Sequence, residues 1–198
     1  MTGNHEYYGA QNLTRREKYL RDALAGNKNI HFLQCDSVEI SGVRFLGCTG
    51  WSRMLCFGKD RRNKVKKVVK ESVNDFIEID YKDGKFTPED CVKLGEEHFN
   101  WLDEELSKPT KCNKTVVVTH FAPSLKVANP KFPVDEISAY FNSGFDSLIE
   151  KHQPDLWAFG HNHANFDINI GETRVISNQR GYGKECADTY LSNFMIEV

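Results

Sequence analysis

Long apolar runs are missing from this sequence. No stretch of its 198 residues approaches the ~18–20 continuous apolar positions that a membrane helix needs. The opening MTGNHEYYGA is neither a basic-then-apolar signal peptide nor an Arg-rich transit segment, so a cytoplasmic protein is expected. An excess of one charge is also missing. Lys and Arg number 26 against 28 Asp and Glu, a formal net charge of −2, which argues against a globally electrostatic partner such as nucleic acid. Paired cysteine motifs are absent too. Cys35, Cys48, Cys56, Cys91, Cys112 and Cys186 include no CxxC, and the chain is too long to need disulfides for stability. Cys48, inside VRFLGC, reads as a small buried hydrophobe, and reduced structural thiols are expected throughout. No repeat, low-complexity tract or long linker divides the chain, so residues 1–198 are expected to form one domain.

What is present is an alternation of helical and extended patterns. Thr14 and Glu17 have capping-box spacing for a helix ending near Ala25 and Gly26. Short extended segments follow at Ile30–Gln34, Val38–Ile40 and Val43–Gly47, the last two joined by a tight Ser41-Gly42 turn. From Lys59 to Phe76 the valines recur at helical spacing beside Lys59, Arg61, Arg62, Lys64, Lys66, Lys67 and Lys70. This segment is read either as an amphipathic helix with a solvated cationic face or as a patch steering an anionic substrate. Thr87-Pro88-Glu89-Asp90 opens a second helix that ends before Pro109. A β-branched strand at Thr115–Thr119, a helix at Phe145–His152 and a strand at Leu156–Phe159 come next. A hairpin, Phe166–Ile170 with Arg174–Ser177, and a last strand at Asn193–Val198 complete the pattern. The fold class is therefore α/β, with stacked β-sheets flanked by helices.

The chemistry gathers at strand ends. His120 follows one buried strand, and His161 and His163 follow another through Gly160, where ligands collect beyond the carboxyl ends of parallel strands. Gly160 would let the chain turn, and in an extended segment His161 and His163 would point to one side and serve one cation or two. Either histidine could instead lie on the loop surface. In Gly3-Asn4-His5-Glu6, Asn4 suits a helix entry or a metal ligand equally. His31, His98 and His152 read as structural.

Three segments in order, Gly3-Asn4-His5-Glu6, Val117-Val118-Thr119-His120 and Gly160-His161-Asn162-His163, resemble the last three motifs of the calcineurin-like metallophosphoesterases. The small stand-alone bacterial members are the most similar. They share segments like Val43–Thr49, the Thr-Pro-Glu-Asp start, His120–Ser124, and an Asn-Pro-Arg-Gly-Tyr element, seen here as Asn178–Tyr182 with Gln179 replacing proline. The resemblance implies a four-layer metallophosphoesterase sandwich that hydrolyses phosphomonoesters or phosphodiesters with two divalent metal ions, Mn, Fe, Zn or Ni. It implies Asn4, His120 and His161 as ligands of one ion, His163 as a ligand of the other, and His5 as the catalytic residue at the phosphoryl group and leaving oxygen. Trp51, Arg53, Arg174 and Arg180 are conceivable substrate contacts or structural residues.

The family also opens with Asp-x-His and Gly-Asp-x-x-Asp motifs, and neither precedes Gly3 here. The resemblance thus implies a missing N-terminal strand–helix–strand unit, lost carboxylate ligands and impaired activity. The alternatives are a non-catalytic remnant, or half of a split enzyme, binding metal or a partner. Exposed strand edges would favour self-association or a complementary N-terminal fragment.

Overall fold

The computed structural model describes residues 1–9, 12–183, 185–186 and 189–198. Its central feature is one six-stranded sheet. β1 (Asp36–Ile40) and β2 (Val43–Cys48) form a hairpin in which Ser41 and Gly42 both have positive φ, as the primed two-residue turn requires. β2 then pairs in parallel with β5 (Lys114–Thr119), β5 with β6 (Leu156–Ala158), and β6 with β8 (Thr173–Ser177). β7 (Phe166–Ile170) closes the far edge antiparallel to β8, giving the order β1-β2-β5-β6-β8-β7. A separate ribbon pairs β3 (Asp80–Tyr81) with β4 (Gly84–Lys85). The α/β class holds. The strands form one large sheet and this small ribbon among the described residues, not two large stacked sheets.

Alternation along the strands gives the sheet two different faces. Leu46, Cys48, Val117, Trp157 and Val175 bury one face against Leu102, Phe145, Leu148 and Ile149. Those last residues belong to α4 (Pro88–Ser107), α6 (Asp146–His152) and the residue before α6. On the other face Val116, Leu156 and Ile176 are buried, and Val43, Phe45, Val118 and Ala158 are only partly covered, by Phe194 and Ile196 among others. Residues 193–198 form no strand. Phe194 and Ile196 pack onto the sheet face without pairing at its edge.

Several helix boundaries move for identifiable reasons. α1 spans Leu13–Leu24 and is capped by Asn12, whose side chain accepts from the Thr14 amide at 3.1 Å. Glu17 is not part of a capping box; its carboxylate turns inward to the Tyr7 hydroxyl at 2.6 Å and the Gln34 amide at 3.0 Å. Residues 30–34 are not a strand. The expected long basic helix breaks in two, α2 (Arg62–Ser72) and α3 (Asp75–Glu78), because Val73 is extended and Ser72-Val73-Asn74 is a poor helical run. α4 starts as the pattern predicts, with Thr87 accepting from the Asp90 amide and Asp90 accepting from the Thr87 amide. A four-residue α5 (Ser138–Phe141) has no periodic signal in the sequence.

Four of the seven cations from Lys59 to Lys70 pair with acids: Arg61 and Lys64 with Glu136, Arg62 with Glu96, and Lys66 with Glu89. That neutralisation suits the helix-face reading of the segment. The six thiols are free, and burial pushes those of Cys48 and Cys91 well above the usual range. No helix among the described residues is long and apolar enough to cross a membrane.

Candidate metal centre

Because β2, β5 and β6 run parallel, their carboxyl ends open on one edge of the sheet, and the loops leaving them are stitched together there. The His120 and Phe121 amides both donate to the Thr49 carbonyl, at 3.0 and 3.1 Å, and the Gly160 amide donates to the His120 carbonyl at 2.9 Å. The chain from Thr2 to Tyr7 lies across this edge. A β-carbon on Gly3 would stand 2.6 Å from Cε1 of His120, so only glycine lets this segment lie against the imidazole.

Asn4 is buried, and its Oδ1 lies 2.9 Å from Nε2 of His120. The His120 and His161 rings are 4.9 Å apart, centre to centre. His161 is wedged into an aromatic wall, 4.0 Å from the Phe121 ring and stacked on Phe141 at 4.7 Å. Its Nε2 is buried with no hydrogen-bond partner. Buried polar atoms are ordinarily satisfied, so an orphaned ring nitrogen on the imidazole beside His120 makes this pair a candidate cation site. Burial pulls the His120 pKa down to about 4, and repulsion from His5 and His163 adds to the effect. His161 falls well below the ordinary histidine value, again through burial first and neighbouring histidines second. Both rings are thus held neutral, which is the form that binds a cation.

His163 does not join them by the route the HxH spacing predicts. The segment is not extended: His161 and His163 both have positive φ, 73° and 51°. Gly160 is not where the chain turns, since the histidines themselves adopt the left-handed conformation. The cost is met by surrounding hydrogen bonds. Gln179 accepts from the His163 amide at 2.9 Å and donates to Asn162 Oδ1 and the Ala164 carbonyl, while Asn129 donates to the Asn162 carbonyl. Asn162 donates to the Val127 carbonyl at 2.6 Å. The substitution of glutamine for proline in the 178–182 element therefore has a local role. His161 turns inward, and His163 turns to the outer rim.

The rim carries the remaining polar groups. His163 Nδ1 lies 2.7 Å from Glu185 Oε2, and its ring meets Tyr182 edge-on at 4.8 Å. The Tyr182 hydroxyl is 3.1 Å from Nε2 of the exposed His5, whose ring stacks on Tyr8 at 4.4 Å. Glu6 accepts from the Gly3 amide at 2.6 Å, bracing the loop. Neither Glu185 nor Tyr8 carries a motif signal; Tyr182 lies inside the 178–182 element.

Among the described residues, no three His, Cys, Asp or Glu side chains group as a ligand set. The cluster that does form is two neutral imidazoles and one amide oxygen. Those donor types are ones a single borderline cation with mixed N and O ligands could take. Trp51 is buried among Tyr7, Phe86 and Phe121 and is not a surface contact. Arg53 pairs with Glu96, and Arg174 with Asp167. Arg180 is exposed. His98 is structural as expected, its Nδ1 accepting from the Gly50 amide at 3.1 Å. His152 pairs with Asp103, and His31 lies in an irregular segment.

Residues 1–165 match the family described as calcineurin-like phosphoesterase. Among solved structures, phosphopantetheinyl hydrolase (PptH) from Mycobacterium tuberculosis is similar with a TM-score of 0.72 at 15% identity, over 96% of this chain and 71% of that one. A second crystal structure aligns with a TM-score of 0.52 at 16% identity, over 90% of this chain and 55% of its own. A putative 5'-nucleotidase from Staphylococcus aureus in complex with alpha-ketoglutarate aligns over 88% of this chain and 31% of its own, with 15% identity and a TM-score of 0.41. The chain thus spans between about a third and three quarters of these proteins' lengths. No curated protein matches it.

Proposed function

The chain belongs to the calcineurin-like phosphoesterases, and from that premise we propose that its site serves the hydrolysis of phosphomonoesters or phosphodiesters. The observation that carries this reading is the contact of Asn4 Oδ1 with His120 Nε2, beside the His161 ring with its unpartnered Nε2, at the carboxyl edge of parallel strands. Those three residues would hold one divalent cation, Mn, Fe, Zn or Ni, and His163 would contribute to a second. When bound, such a cation offsets charge on phosphate oxygens and lowers the pKa of bound water.

The chain's own residues do the rest. The aromatic wall of Phe121, Tyr140 and Phe141 keeps bulk water from the inner side of His161 and fixes its ring. His5, open at the rim and backed by Tyr8, is placed to donate a proton to the departing alkoxide oxygen. The Tyr182 hydroxyl lies within hydrogen-bond reach of both His5 ring nitrogens. Among the described residues no carboxylate groups with the His120 and His161 donors as a ligand set, so two cations here would face largely neutral ligands. Weak activity of this chain alone is therefore expected, and carboxylates from a complementary segment or partner would raise it.

The test is Mn²⁺-dependent release of nitrophenol from mono- and bis-nitrophenyl phosphate by wild type, His120→Ala and His161→Ala. At least a ~100-fold loss of kcat/KM is expected in both variants. Equal residual rates in all three proteins sink the reading.

A further inference from the structure

The break between α2 and α3 delivers a carboxylate to the back of the site. Asp75, the first residue of α3, is 1% exposed, and no Lys, Arg or His pairs with it among the described residues. Three side chains satisfy it instead. Asn4 Nδ2 donates to both its oxygens, at 2.8 and 3.1 Å. The Tyr8 hydroxyl donates to Oδ1 and the Tyr140 hydroxyl to Oδ2. Each of the three also touches the candidate site. Asn4 meets His120, Tyr8 stacks on His5, and the Tyr140 ring meets His161 edge-on at 6.0 Å.

The chemistry of the contact is directional. Both Asp75 oxygens accept from the Asn4 NH2, so that end of the amide faces Asp75. That orientation turns Oδ1, the only atom of the amide able to bind a cation, toward His120. We propose that Asp75 is a positioning residue that locks the Asn4 amide with its oxygen facing His120, presetting the donor pair. The inference rests on the cation-site reading above for its purpose, but its geometry stands apart from that reading. It assigns Asp75 no contact with substrate or cation. A supporting hydrogen bond of this kind typically changes cation affinity 10–100-fold.

The lock leaves a mark in the cation-free protein. Asn4 Oδ1 only accepts, so the His120 Nε2 at 2.9 Å carries the ring proton. Nitrogen-15 NMR of histidine-labelled protein reads this tautomer directly, and calorimetry reads Mn²⁺ affinity in the same samples. Wild type is expected to show the Nε2–H tautomer at His120. D75N, which offers Asn4 a donor as well as an acceptor, is expected to show mixed tautomers and a Kd for Mn²⁺ raised ~10-fold or more. The exchange N4D/D75N puts the amide at 75 and the carboxylate at 4, and is expected to restore both the tautomer and the affinity. A structural role alone would lower stability in D75N and give no such rescue.

An Nδ1–H tautomer at His120 in wild type overturns the proposal, and that measurement decides the matter even where D75N fails to fold. D75N with wild-type tautomer and affinity overturns it equally. Wild type that binds no Mn²⁺ while D75N still releases the tautomer would refute the cation site and leave the positioning role standing.

Discussion

The two halves of the site are built on opposite terms. The inner half, Asn4, His120 and His161, is backed by a buried carboxylate and an aromatic wall, and burial keeps its imidazoles uncharged. The outer half, His5, His163, Tyr182 and Glu185, is joined by contacts open to water, with the Glu185 side chain 47% exposed. Desolvated groups in fixed positions interact strongly, whereas exposed pairs contribute at most ~1 kcal/mol. On the proposed function, the contrast would preset the inner groups and leave the rim groups free to adjust to substrate.

Substitution can break that contrast. The largest separation is expected between His120→Ala and His5→Ala. Both should lower nitrophenol release by roughly 100-fold or more. Only His120→Ala should also abolish Mn²⁺ binding by calorimetry, since His5 is not among the inner donors. Loss of Mn²⁺ affinity in His5→Ala would erase the division between the halves.

Acid sharpens the comparison next. Burial lowers the pKa of His98 to about 4, so the folded chain holds it neutral while the unfolded chain protonates near 6.5. Its contribution is complete above about pH 6.5 and is lost as pH falls toward 4, because the unfolded state then binds the extra proton. Urea midpoints in cation-free protein should fall across that window, and should fall less in His98→Gln, whose amide oxygen still accepts from Gly50. An equally steep decline in the variant would place the acid sensitivity elsewhere.

The smallest effect is expected at the rim. Glu185→Gln keeps an acceptor for His163 and removes only an exposed charge, so kcat/KM should change by less than ~3-fold. A tenfold loss would mean that Glu185 belongs with the inner groups.

Legibility in the sequence follows the same division. Strands β2, β5 and β6, the capping box at Thr87 and the hairpin turn at Ser41-Gly42 could be read locally, since each rests on neighbours in the chain. Asn4, His120 and His161 could be placed together from their motifs. Asp75 could not. It lies in what reads as one basic helix, and its value comes from the break at Val73 and from partners 71, 67 and 65 positions away. The orientation of His163 was hidden for a similar reason. Spacing suggests an extended segment, whereas the positive φ at His161 and His163 is sustained by Gln179 and Asn129, which no local pattern links to them. The final segment shows the converse error. Phe194 and Ile196 alternate like a strand because they cover a sheet face, not because they pair.

Gly3 has a consequence for how this chain tolerates change. The clearance between its Cα and the His120 ring is about that of a hydrogen atom, since a β-carbon would fall 2.6 Å from Cε1. The amino-terminal loop and the end of β5 therefore fit as key and lock, and one added methyl would force them apart. Random mutagenesis should find position 3 nearly as intolerant as position 120, although residue 3 contributes no side chain to the chemistry.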